Sequence, residues 1–172
     1  MNLEKALKEA NSRQSTDAII RWVGKDSDRF GQLVDHLLGG SPGIQVRAAW
    51  PLSYCVEQHP ELVKPHLSRL VGQLGKPGLQ DAAKRSIVRL LQFVDVPRRL
   101  QGAVANACFA FVADPAEAPA IRVFSMTVAD NLARSNPDLQ RELILILEEQ
   151  LPYASSGFVC RAKKVIKRYA SP

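Results

Sequence analysis

Residues 60–78 read PELVKPHLSRLVGQLGKPG, and this stretch decides the architecture. Proline suits the first turn of a helix, where its missing N–H has no intrahelical partner, and Glu61 behind it complements the positive end of the helix dipole. Leu62, Val63, His66, Leu67, Leu70, Val71 and Leu74 then recur at three- and four-residue spacing, which marks one buried helical stripe. Gly75-Lys76-Pro77-Gly78 is turn chemistry and ends the helix. A second stripe of Ala83, Ile87, Leu90, Leu91 and Val94 follows from about Leu79 and stops at Asp95-Val96-Pro97, where another proline opens the same pattern. The unit is therefore helix, short turn, helix.

Working outward, the unit repeats. Pro60, Pro97 and Pro137 are separated by 37 and 40 residues, and Arg47, Arg85, Arg122 and Arg161 by 38, 37 and 39. Two independent markers share one period of about 38, as stacked helix pairs require. The first helices of the pairs (A helices) fall at about 26–39, 60–74, 97–113 and 137–151, and the second (B helices) at about 44–58, 79–94, 118–134 and 156–170. Repeats of about 26–58, 60–94, 97–134 and 137–170 result. Residues 1–25 hold one or two further helices whose Ala18, Ile19, Trp22 and Val23 suit a cap on the first repeat. No segment alternates with period two, so the expectation is an all-α domain over residues 1–172.

Composition fits a chain able to bury a core, with 172 residues of which 46% are hydrophobic. No apolar run approaches the roughly 20 residues that span a bilayer, so no membrane association is expected. Both charge signs precede any apolar block in Met1 to Lys5, unlike a secretory leader. Cys55, Cys108 and Cys160 show no CxxC spacing and read as reduced thiols, which points to the cytoplasm. His36, His59 and His66 form no HxxxH pair, and no GxxxxGK[ST], GxGxxG or GxSxG occurs. No catalytic residue, cofactor or metal is expected.

An A helix opened by Pro-x-x-Leu, followed by a B helix opened by an apolar residue and Arg, resembles the HEAT repeat of the armadillo-type superhelix. Val46-Arg47-Ala48, Ile121-Arg122-Val123 and Cys160-Arg161-Ala162 carry the resemblance, while Lys84-Arg85-Ser86 departs from it. Residues 48–55, AAWPLSYC, and 148–155, EEQLPYAS, are also similar to small single-domain bacterial HEAT-like proteins. The resemblance implies a superhelix of about four helix pairs plus an N-terminal cap, with B helices on the inner face, and it implies no reaction.

The four B helices carry net charges of 0, +2, +1 and +5, against +6 for the whole chain. Basicity on one layer attracts anionic partners, and Arg85, Arg89, Arg122, Arg161, Lys164, Lys167 and Arg168 are candidates for such contacts. A structural role for the arginine that opens each B helix stands beside that reading. Within the first B helix, Pro51 removes a backbone donor and should kink the helix. Arg47, Trp50 and Tyr54 share one stripe of it, opposite Ala48, Leu52, Cys55 and Val56. Trp and Tyr beside Arg are the residue types of binding hot spots, though aromatic residues at this spacing also serve as core. The function expected is a non-catalytic scaffold for a macromolecular partner, protein first. The alternative is a nucleic-acid binder distantly related to the HEAT-like DNA alkylation repair glycosylases.

Overall fold

The structure, a computed structural model, describes residues 1–170. It is all-α among these residues, and its contacts divide it into two compact units, one of Met1–Asp95 and one from Val96 onward.

The first unit opens with α1 (Leu3–Glu9) and α2 (Arg13–Val23). Each starts where a polar side chain satisfies otherwise orphaned N–H groups: Asn2 caps α1, and Ser12 forms a reciprocal capping box with Ser15. Asp26 does the same for α3 (Ser27–Gly39) by accepting from Asp28 and Arg29. A tight corner at Gly40 leads into α4 (Pro42–Gln58), which has proline in its first turn. A Cβ on Gly40 would lie 2.5 Å from the His36 carbonyl oxygen, so the corner admits only glycine without movement.

Helix α4 is the hub of this unit, packed by α1, α2, α3 and α6 (Asp81–Leu90). It runs unbroken through Pro51, and Ala48, Leu52, Cys55 and Val56 are buried as the stripe requires. Ser53 Oγ donates to the Trp50 carbonyl at 3.0 Å and Ser86 Oγ to the Ala49 carbonyl at 2.5 Å, on the two residues just before the proline. Around α4, Leu7, Ile19, Phe30, Leu33, Leu37, Leu67, Leu70, Ile87 and Leu90 complete a core closed to water.

The expected helix over 60–74 is replaced by a 3-10 segment, Pro60–His66, followed by the short helix α5 (Leu67–Val71). Pro65 is the physical reason: inside an α-helix it lacks the donor for the Glu61 carbonyl and crowds that group. The buried positions survive the change, because Leu62, Val63, Leu67, Leu70, Val71 and Leu74 still face inward. The next B helix is likewise shorter than expected, with α6 ending in a 3-10 turn over Leu91–Phe93.

The second unit contains α7 (Arg98–Ala113), α8 (Pro119–Ala133), α9 (Pro137–Gln150) and α10 (Ser156–Ala170), with a 3-10 turn at Leu151–Tyr153. Helix α8 packs on α7, α9 and α10 around Val104, Cys108, Val112, Ile121, Met126, Leu143, Leu147, Phe158 and Val165. Proline stands at the N-cap of α7 and in the first turn of α9, where Asn136 caps by accepting from Asp138 and Leu139. Pro60, Pro97 and Pro137 thus lie within one position of equivalent places.

Candidate functional site

The exposed side of α4 is where the first unit gathers unusual chemistry. Trp50 is 55% exposed, the more so for a residue that normally buries most of its area. One turn on, Tyr54 stacks against it with ring centres 6.0 Å apart and planes at 28°. Arg89 of α6 adds its guanidinium 4.3 Å from the Tyr54 ring centre and 5.4 Å from that of Phe93. The same guanidinium donates to Glu57 Oε2 at 2.6 Å and to Ser53 Oγ at 3.2 Å, so Arg89 serves as a strut between α6 and α4. Arg85, four residues earlier on α6, is exposed.

Arg47 sits at the other end of the row. Its Nη1 donates to the Lys8 carbonyl oxygen at 2.7 Å, tying α4 to the end of α1. Arg47, Trp50 and Tyr54, with Val46, form one wall of a groove of about 370 Å³, and the corner between α1 and α2 forms the other, with Ser12 and Arg13 at its rim. The structure therefore brings together the three α4 residues singled out from sequence and adds two features that sequence reading missed. The corner at Ala10 to Arg13 is one, and Phe93 is the other, 36% exposed beside Arg89. The Ser12 capping signature was a legible sign of the corner, but nothing local shows that it faces α4.

In the second unit, Arg122 takes the structural role of the two weighed for the arginines that open the B helices. It is 6% exposed, and its Nε and Nη2 both donate to the Val112 carbonyl oxygen, at 3.3 and 2.9 Å. Nη2 also donates to Gln150 Oε1 at 2.8 Å, and the guanidinium lies 4.4 Å from the Phe158 ring centre. Burial pulls its pKa below the ordinary arginine value, against a smaller opposing pull from Asp114. Arg122, buried and bonded to α7 and α9 beside the α10 Phe158 ring, serves as an internal tie.

The basic face of α10 divides in the same way. Arg168 pairs with Asp130, a buried α8 carboxylate that also accepts from Tyr169 Oη at 2.7 Å. The Asp130 hydrogen bond and charge hold Arg168 above its ordinary pKa, and burial foremost, then Asp130, pushes Tyr169 up to about 12. Arg161 donates to Thr127 Oγ1 at 2.9 Å while remaining exposed. Lys163, Lys164 and Lys167 project from α10 as exposed cations.

Cys55 and Cys108 are buried, and burial pushes both thiols up to about 12, far from the thiolate a nucleophile needs. Among the described residues no group of three or more His, Cys, Asp or Glu side chains could hold a metal ion, and no helix is long and apolar enough to cross a membrane.

The HEAT repeat domain family matches the chain over residues 3–169, nearly its full length. The chain belongs to this HEAT-repeat family. Its membership accounts for the shared period of the prolines and arginines, and it makes the chain a repeat scaffold of a type that commonly mediates interactions. No curated protein and no solved structure matches it. In HEAT-repeat terms, α4 and α6 are successive B helices of the first unit, and α8 and α10 of the second. Both pairs are cross-tied by an arginine on the later helix reaching back about one period, Arg89 to Glu57 and Arg168 to Asp130.

Proposed function

We propose that this HEAT-repeat protein is a non-catalytic scaffold that binds another protein through the exposed α4 face of its first unit. The observation that carries the reading is the exposed Trp50, stacked on Tyr54 beside Arg47 at the mouth of a groove. Large, pre-stacked aromatic side chains next to arginine lose little conformational freedom on binding and dominate the energetics of protein interfaces. The arginines of the ladder divide between internal ties and surface. Arg89, Arg122 and Arg168 already have partners within their own units, which leaves Arg85, Lys164 and Lys167 as peripheral cations.

The test is capture of the native partner from nuclease-treated lysate by wild-type protein and by Trp50→Ala. Capture should fall at least tenfold with Trp50→Ala while the melting temperature changes by only a few degrees, because the side chain is mostly outside the core. A second reading, nucleic-acid binding, is favoured by the three exposed lysines of α10. Retention of duplex DNA at physiological salt, lost on charge reversal of Lys164 and Lys167 and indifferent to Trp50→Ala, would replace the first reading with the second.

A further inference from the structure

The groove beside α4 is chemically uneven. Ala10, Ile20, Val46, Trp50 and Tyr54 are its apolar lining, whereas Arg47 and Arg13 add two basic side chains. Against these stands one carboxylate, Asp17, 3.9 Å from Arg13.

Arg47 is the informative residue. A guanidinium offers five N–H donors in a planar fork, and the bond to the Lys8 carbonyl engages one nitrogen, Nη1. That bond holds the group in place and engages neither Nε nor Nη2. A planar edge fixed in advance beside an apolar wall fits a carboxylate, which takes two parallel N–H bonds from arginine and gains most where the group is already ordered.

We infer that the groove takes a short acidic peptide segment of a partner protein, with an Asp or Glu carboxylate on the Nε and Nη2 edge of Arg47 and a large apolar side chain against Trp50 and Val46. The inference rests on the protein-binding function proposed above and names the chemistry of the partner. Arg47 and Trp50 are three residues apart on α4, about 4.5 Å of helical rise. A carboxylate and an apolar side chain at that separation lie two residues apart in an extended segment or three to four apart in a helical one. A space of about 370 Å³ holds a few side chains and no broad folded surface. The net charge of +6 favours an acidic partner at longer range. A single strand of nucleic acid fits less well: Trp50 and Arg89 already occupy the Tyr54 ring, which leaves Trp50 as a lone stacking platform.

The experiment titrates the full chain with fluorescent, acetylated and amidated Gly/Ser peptides that carry one Asp and one Leu, spaced two, three or four residues apart. Asn-for-Asp and Gly-for-Leu versions serve as controls, all at physiological salt. At least one Asp–Leu spacing should bind, and exchange of Asp for Asn should weaken it about tenfold. Arg47→Gln should produce the same loss with the Asp peptide and almost none with the Asn peptide, and Arg47→Lys, which keeps the charge without the fork, should fall between. The inference is overturned if no peptide binds, if Asp and Asn peptides bind alike, if Arg47→Gln weakens both equally, or if an oligothymidine of equal length displaces the peptide. Partner capture separates this failure from that of the parent reading. If the peptides fail while Trp50→Ala still abolishes capture, the acidic segment is wrong and the protein interface stands; if Trp50→Ala leaves capture intact, both fall.

Discussion

Replacing Arg122 with alanine should destabilise the second unit by about 3–5 kcal/mol, and the figure follows from what the guanidinium touches. Val112 lies in the last turn of α7, where carbonyl groups have no intrahelical donor. Arg122 supplies that donor twice over, at 2.9 and 3.3 Å. Leaving such a buried acceptor without a partner costs about 1–3 kcal/mol. The Gln150 bond at 2.8 Å and the cation over Phe158 at 4.4 Å add to this, the latter by about 0.5–2 kcal/mol. The contributions overlap, since a single side chain makes them all, so the sum is lower than the separate maxima. Urea unfolding followed by far-UV circular dichroism, with hydrogen exchange of α8 amides to locate the loss, measures the effect. Arg122→Lys should fall between, because one ammonium cannot serve both acceptors and cover the ring. A change below about 0.5 kcal/mol, the ordinary range for a surface substitution, would refute the buried-tie assignment.

Two further outcomes are expected. A thiol reagent applied to the native protein at mild pH should modify Cys160 rapidly and spare Cys55 and Cys108, which are buried with thiols pushed up to about 12; fast reaction of all three would contradict the packing of both units. Burial foremost, then the Asp130 hydrogen bond and charge, pushes Tyr169 up to about 12 from an ordinary 10.0, so the neutral phenol is favoured on folding. Its stabilising effect is full below pH 10 and is lost as pH rises from 10 towards 12. Tyr169→Phe should therefore show a shallower loss of stability over that window than the wild type, and identical slopes would remove Tyr169 from the account.

The sequence by itself determined the repeat and the parts of the site that lie on one helix. Proline in the first turn, stripes at three- and four-residue spacing and Gly/Pro turns are local signals, which is why the four pairs and the Arg47, Trp50 and Tyr54 row were legible. Even here a local detail was passed over, because Pro65 turns a helix into a 3-10 segment within the very stretch that revealed the period. Only tertiary structure decided the fate of residues at equivalent repeat positions. Arg47 and Arg122 open corresponding B helices, yet Arg47 stands exposed over a corner made by residues about 35 positions away, and Arg122 is sealed between α7, α9 and α10. The same distinction separates Arg168, claimed by a buried carboxylate 38 residues back, from its exposed neighbour Lys167. Periodicity states which face of a helix a side chain occupies; whether that face meets water depends on which other helices fold over it, and that is a property of packing between distant segments.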